Sequence, residues 1–206
     1  MFRFSRFVAA LVLVSAIAPF TAAAVSLSPF PQGFGVSDSN SIGGSWVEND
    51  GGSGGTERRA AGSGNDSASP AGGAFALADG DGGWFCHSVN AVGYQLLQMS
   101  YYWRGDNDAE GSDQGLVQYK TSGTCGGAGT WNTLQTHDLS IDSSWTTQSV
   151  FSLPGAIDNS TFLVRFFSDS GNSNEDFRID EVSITGTALD VTPPSVIQVS
   201  ASAPVD

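Results

Sequence analysis

Acidic side chains at regular spacing are the residues of this 206-residue chain best suited to bind a metal ion. The segment 104–113 reads RGDNDAEGSD, in which Asp106, Asp108 and Glu110 alternate ahead of a glycine. Alternating oxygen ligands followed by a glycine turn are the beginning of a calcium-binding loop, although Val117 replaces the Glu that would complete an EF-hand. Because this ligand set is incomplete, the sequence favours a solvated acidic loop here, with a Ca²⁺ site formed by Asp106, Asp108 and Glu110 as the alternative.

A second candidate ligand, Asp180, lies in the alternating segment 174–186, which reads NEDFRIDEVSITG. With a period of two, its side chain is expected on the same face as Val182 and Ile184. A carboxylate in a core-facing row must be neutralised, hydrogen-bonded or metal-bound, because burying it unpaired is prohibitively costly. Calcium binding with help from Asp113 and satisfaction by backbone N–H groups both fit this position.

Aromatic side chains are a different kind of candidate, because sugar rings stack on aromatic faces much as other apolar ligands do. Trp84, Tyr102, Trp131 and Trp145 are the candidates for such a platform. Because aromatic side chains are usually buried, core packing is expected for most of the four. Trp103, which falls in an apolar row of its strand, is assigned to the core.

The first 24 residues have the features of a secretory signal peptide. Arg3 and Arg6 precede an apolar run at 7–20, and three alanines at 22–24 fit a cleavage site. The run is shorter than the roughly 20 residues that a membrane anchor needs. We therefore expect a secreted, extracellular or cell-surface protein with no membrane insertion.

The predicted secretion bears on the chemical state of the only two cysteines. In an oxidising compartment Cys86 and Cys125 are expected to form a disulfide. A cysteine nucleophile would need a free thiol, and His87 and His137 are too few for a His-rich zinc site. No common hydrolase or phosphate-loop motif occurs, so the sequence predicts no catalytic residues.

The charge of the chain excludes some partners. Its formal net charge is −13, and losing the two signal-peptide arginines leaves six of eight basic residues against 21 acidic ones. Such a surface repels nucleic acid phosphates and anionic lipid. Neither is expected as a direct partner.

Short segments in which apolar and polar residues alternate are separated by Gly, Asn, Asp, Ser or Pro. This pattern predicts an all-β sandwich or jelly roll. The predicted strands are 33–36, 45–48, 74–77, 84–89, 94–103, 116–119, 130–134, 146–151, 161–167 and 177–185. In the segment 94–103 one row is Leu97, Met99, Tyr101 and Trp103. The segment 161–167 is apolar on both faces, which predicts a central strand or one whose second face is covered.

The strands set the expected domain organisation. After the signal peptide at 1–24, a lead-in at 25–44 precedes a single sandwich at 45–188. A Gly/Ser-rich stretch at 49–73 is predicted to be a flexible loop. The segment 189–206, with two consecutive prolines, is predicted to be a stiff linker or the start of a further module.

Several segments taken in order resemble the jelly-roll β-sandwich accessory domains of secreted proteins, in the galactose-binding-like, MAM-like and carbohydrate-binding-module-like groups. The segments are 94–103 (YQLLQMSYYW), 117–131 with its paired glycines and Trp131, 153–154, 164–166 (VRF) and 178–186 (RIDEVSITG). The resemblance implies an antiparallel jelly-roll fold and a carbohydrate-binding or adhesive role. It also implies that Asp180 belongs to a structural calcium site. One departure is Cys125, which lies in the turn where the family has an Asp.

Three functions follow as hypotheses. The first is a non-catalytic module that binds carbohydrate or another extracellular surface and is stabilised by calcium. The second is an accessory domain of a secreted hydrolase, a nuclease or peptidase, whose catalytic part lies beyond residue 206. The third is a structural repeat of a surface adhesin.

Overall fold

The computed structural model describes residues 23–27, 34, 41–49, 56–60, 73–80, 82–106, 108–141, 144–172 and 175–190, with the backbone alone at 57–60 and 149. Every regular element in these ranges is a β-strand. The strands are β1 (Ala24–Ser26), β2 (Val47–Asn49), β3 (Thr56–Ala60), β4 (Ala74–Ala78), β5 (Trp84–Val89), β6 (Tyr94–Arg104), β7 (Gln114–Lys120), β8 (Asn132–Asp138), β9 (Thr146–Ser152), β10 (Phe162–Asp169) and β11 (Phe177–Ala188). A search of the same ranges for a helix long and apolar enough to cross a membrane finds none.

The described strands pair into two antiparallel sheets. One has the order β3-β4-β11-β6-β9, with β1 also paired to β11, and the other has the order β2-β5-β10-β7-β8. The chain passes from one sheet to the other between β4 and β5, between β5 and β6, and between β6 and β7. The predicted all-β jelly-roll sandwich is confirmed.

The core lies between the two sheets and is rich in aromatic rings. The predicted row of β6 is confirmed there, since Leu97, Met99, Tyr101 and Trp103 are each at most 6% exposed. The ring of Tyr101 meets that of Phe166 on β10 at 5.3 Å between centroids. Burying each large apolar side chain contributes about 1.5–3 kcal/mol, so this row helps to hold the two sheets together.

Gly115 on β7 leaves the space that Phe177 fills. A Cβ at this position would lie 2.5 Å from the Phe177 ring, which is itself fully buried. No side chain larger than hydrogen fits without moving the core.

Strand β10 is the middle strand of its sheet, as its apolar pattern predicts. It pairs with β5 on one side and with β7 on the other. Phe162, Val164 and Phe166 face the core. Leu163 on the opposite face is only 2% exposed, so this strand is both central and covered.

The prediction that Asp180 shares a face with Val182 and Ile184 is wrong. The pairing of β11 with β6 shifts register between Asp180 and Ser183, and Glu181 has a positive φ of 49°. This bulge inserts an extra residue, so that Val182 and Ile184 face the core while Asp180 faces the outer side of the six-stranded sheet.

The predicted loop at 49–73 contains an element that its composition did not indicate. Strand β3 pairs with β4 from Thr56 opposite Ala78 to Ala60 opposite Ala74. Outside the described residues lie the remainder of that loop, most of the predicted strand at 33–36, and almost all of the signal-peptide and linker segments. These assignments stay predictions.

Candidate functional site

The outer surface of the five-stranded sheet brings several chemically distinctive side chains together. Alternation places Trp84 and Cys86 of β5 outward, because Phe85 between them is in the core. Across the sheet, Cys86 is opposite Arg165 and Trp84 is opposite Phe167. We call Trp84, Trp131, Phe167, Arg165, Gln118 and Lys120 the aromatic face.

A disulfide completes this surface. Cys86 and Cys125 are bonded, with their Cα atoms 5.8 Å apart, which confirms the predicted pair. Cys125 lies in the loop between β7 and β8, while Cys86 is on β5, and β10 runs between those strands. The loop therefore crosses the outer side of β10 and buries Leu163, and both Trp84 and Trp131 pack against this small cluster.

Arg165 lies at the centre of the aromatic face. Its guanidinium carbon is 4.3 Å from the centre of the Trp131 ring and 4.9 Å from that of Phe167. Its Nε donates a 2.6 Å hydrogen bond to Gln118 Oε1, and Gln118 Nε2 donates to Thr133 Oγ1 at 3.1 Å. These contacts fix the plane of the guanidinium.

Lys120 supplies a second cation to the same ring. Its Nζ lies 4.5 Å from the centre of the Trp131 ring and donates a 2.8 Å hydrogen bond to the carbonyl of Gly127. Burial, and then the charge of Arg165, lowers the pKa of Lys120, and burial lowers the pKa of Arg165 to about 10. Arg165 is thus still cationic at neutral pH.

The four predicted platform aromatics do not form one surface. Trp84 and Trp131 lie together on the aromatic face. Tyr102 pairs with Asp180 and Thr147 on the outer side of the other sheet. Trp145 packs against Phe75 on β4, with ring centroids 5.3 Å apart. The structure therefore offers two separate aromatic surfaces, and only the first combines two tryptophans.

A cluster of carboxylates lies at the loops before β7 and β11. Oxygens of Glu110, Asp113 and Glu175 all lie within 4.8 Å of one another. Asp113 accepts hydrogen bonds from the backbone N–H groups of Glu110 (2.6 Å) and Gly171 (3.3 Å). Asp113 and Glu175 are 4% and 2% exposed, whereas Glu110 is exposed. The cluster joins two loops that are distant in sequence.

Hydrogen bonds and charge set the ionisation of this cluster. A hydrogen bond to Glu175, and then its negative charge, raises the pKa of Glu110. Burial opposes ionisation of Glu175, but hydrogen bonds from the side chain and backbone of Asn172 lower its pKa overall. Close carboxylates repel each other, so a hard cation is the kind of ligand that this geometry fits.

Three other predicted calcium ligands lie elsewhere. Asp106 forms an ion pair with Arg178, with Oδ2 and Nη2 2.6 Å apart. Asp108 is exposed. Asp180 belongs to no group of three metal-binding side chains among the residues that the structure describes. No local pattern indicates Glu175 as a ligand, because it lies in the loop before β11 and meets Glu110 and Asp113 only in the folded chain.

The buried position of Asp180 makes stability depend on pH. Burial raises the pKa of Asp180 to about 7, against about 3.9 in an unfolded chain. Between these values the folded state binds more protons, so the unfolding free energy should fall as the pH rises from about 4 to about 7, by at most about 4 kcal/mol. Asp180→Asn should reduce this dependence. Urea unfolding of both proteins at about pH 5 and about pH 8 measures the change in unfolding free energy. If this change is the same in the two proteins, Asp180 is not the group responsible for it.

Comparisons with known proteins agree with the fold. No family model and no curated protein matches the chain. Among solved structures, the K3 cleaved adhesin domain of Lys-gingipain from Porphyromonas gingivalis W83 is 15% identical, with a TM-score of 0.55, over 79% of this chain and 99% of that one. The K1 domain of the same protein is 14% identical, with a TM-score of 0.55, over 79% of this chain and 97% of that one.

A third solved structure extends the comparison to an enzyme chain. An arabinose-bound α-L-arabinofuranosidase is 10% identical, with a TM-score of 0.50, over 78% of this chain but only 26% of its own length. At these identities the likeness concerns the fold alone. It confirms the resemblance to jelly-roll β-sandwich domains, and the class of protein defined here is an antiparallel β-sandwich of that type.

Proposed function

We propose that this chain is a secreted, non-catalytic binding module that recognises carbohydrate through the aromatic face. The observation that carries the proposal is the pair Trp84 and Trp131, held on one surface by the Cys86–Cys125 disulfide. Half-buried tryptophans on a rigid sheet present flat apolar area at little entropic cost. Two of the similar structures are adhesin domains by name, and a binding role without catalysis is the kind of function proposed here.

The positions of the two histidines support a role without catalysis. His137 shares a 2.7 Å hydrogen bond with the Tyr101 hydroxyl and stacks on Trp103 at 4.0 Å. His87 lies edge-on to Trp46 at 5.0 Å. Both are 4% exposed, so neither is available to a substrate at the surface.

Glycan binding by the intact chain tests the proposal. We expect the protein to bind at least one polysaccharide on a broad glycan panel, and Trp84→Ala or Trp131→Ala to weaken that binding by roughly 30-fold, the effect of removing a central aromatic anchor worth about 2 kcal/mol. Tyr102→Ala and Trp145→Ala are matched controls, because these aromatics lie on the other sheet and should leave affinity unchanged.

Two outcomes would contradict this assignment. If the control variants lose binding while the Trp84 and Trp131 variants keep it, the outer side of the six-stranded sheet is the binding surface. If no glycan binds the folded protein, the proposal fails and a structural adhesin repeat becomes the better hypothesis.

We also propose that Glu110, Asp113 and Glu175 bind a structural Ca²⁺. Three carboxylates supply the hard oxygen donors that calcium prefers, and two of them are buried, where their repulsion requires compensation. An ion here would tie the loop before β7 to the loop before β11. Its role would be to hold these loops rather than to contact a ligand.

Calcium should therefore raise the melting temperature. At 100 times its dissociation constant it would add about 2.7 kcal/mol, which is about 5–10 °C for a domain of this size. Glu175→Gln should abolish the shift, while Asp108→Asn, a change to an exposed carboxylate in the same loop, should preserve it. Differential scanning calorimetry in EDTA and in millimolar calcium measures this; an unchanged melting temperature for the unsubstituted protein would refute the site.

A further inference from the structure

The aromatic face holds two positive charges, and no carboxylate of the described residues forms an ion pair with either of them. Lys120 is the only lysine of a chain with a formal net charge of −13, and it shares the Trp131 ring with Arg165. Among the described residues, neither cation has a carboxylate oxygen within 4.0 Å; the ion pairs found there belong to Arg178. With acidic residues so abundant, this local excess of positive charge is a distinctive property of the surface.

The guanidinium of Arg165 donates one hydrogen bond to the side chains that the structure describes. Its Nε donates to Gln118, and its two ring contacts hold its plane. In the part of the chain that the structure describes, no acceptor bonds its two terminal nitrogens. Those nitrogens carry four N–H groups, and they form the edge that binds a carboxylate or sulfate in a bidentate manner.

We propose that the aromatic face binds an acidic glycan, in which a sugar unit carries a carboxylate or a sulfate ester. Arg165 receives the anionic group, and Trp84 and Trp131 contact the sugar rings. Lys120 adds positive charge, although its Nζ is already bonded to Gly127. This inference rests on the proposed function and specifies the chemical class of ligand.

Charge complementarity at the face must overcome the negative charge of the whole molecule. The overall field repels a polyanion, but at about 0.15 M salt the screening length is only about 8 Å. Contacts at Arg165 are shorter than this and are screened much less. We therefore expect binding to persist at physiological salt.

Isothermal titration calorimetry at about 0.15 M NaCl tests the inference with four probes. These are polygalacturonate, its methyl ester, neutral β-1,4-galactan and a sulfated galactan. We expect at least about tenfold tighter binding of an anionic probe than of its neutral counterpart, since a charge-assisted hydrogen bond contributes about 1.5–3 kcal/mol. Preference for polygalacturonate or for the sulfated galactan identifies the anionic group.

Variants of Arg165 connect the preference to this residue. Arg165→Gln should remove the preference for anionic over neutral probes. Arg165→Lys should retain only part of that preference, because lysine keeps the positive charge but lacks the planar pair of donors that binds an anion in a bidentate manner. Melting temperatures and thiol titration show whether the fold and the disulfide of each variant are intact. If Arg165→Gln does not fold, Arg165→Lys and the comparison of polygalacturonate with its methyl ester still test whether Arg165 binds the anionic group. Equal affinity for neutral and anionic probes overturns the inference and leaves the proposed function standing. Absence of binding to every glycan overturns both.

Discussion

Replacing Arg178 by leucine is expected to lower the unfolding free energy by about 3–5 kcal/mol. The Arg178 side chain is 8% exposed, and its Nη2 lies 2.6 Å from Asp106 and 3.0 Å from Asp176. Without the guanidinium, two carboxylates that are themselves 15% and 16% exposed would face each other uncompensated. Breaking a buried ion pair is costly because the remaining charge stays desolvated.

A double substitution separates this effect from lost packing. Asp106→Asn with Arg178→Leu leaves one carboxylate fewer, so part of the lost stability should return. Urea unfolding at pH 7 measures the four proteins of the cycle. A loss below about 1 kcal/mol for Arg178→Leu would mean that solvent reaches the site and that the ion pairs contribute little.

Removing the disulfide should have an effect of similar size. Cys86 and Cys125 are 39 positions apart, and a cross-link of this span stabilises a fold by about 4 kcal/mol when loop entropy is the main contribution. The double substitution Cys86→Ala with Cys125→Ala should lower the urea midpoint accordingly. It should also weaken glycan binding, because the loop that carries Trp131 would lose its attachment to β5.

Reduction provides the matched control for this prediction. Dithiothreitol should destabilise the unsubstituted protein and leave the double variant unchanged. If the variant unfolds at the same urea concentration as the unsubstituted protein, the packing of Leu163 and not the covalent bond holds the loop.

The sequence predicted the fold well where a strand has one clear pattern. The row from Leu97 to Trp103 alternates without interruption, and the apolar pattern on both faces of β10 indicated its central place. In such strands burial requires an apolar residue at every second position, so the alternation alone is enough to predict the strand and its buried face. The sequence pattern does not indicate strand β3, because its residues, TERRA, are mostly polar. This segment is a strand because it pairs with β4 in the folded chain.

The candidate sites depend on contacts between distant segments, which no local pattern encodes. A single bulged residue, Glu181, moved Asp180 to the opposite face. Glu175 meets Asp113 only because two loops converge. Trp84 and Trp131 were both candidates, but their proximity follows from the path of the disulfide loop over β10. Arg165 had no distinguishing pattern of its own.

The pairing of β1 with β11 has a mechanical consequence. Ala24 lies opposite Thr187 and Ser26 opposite Thr185, so the described chain enters and leaves the sandwich at the same end. A force that pulls these two ends apart would break the β1–β11 hydrogen bonds one after another rather than all together. The domain should therefore release its first strand at low tension, while the cross-linked sheet that carries the aromatic face stays intact.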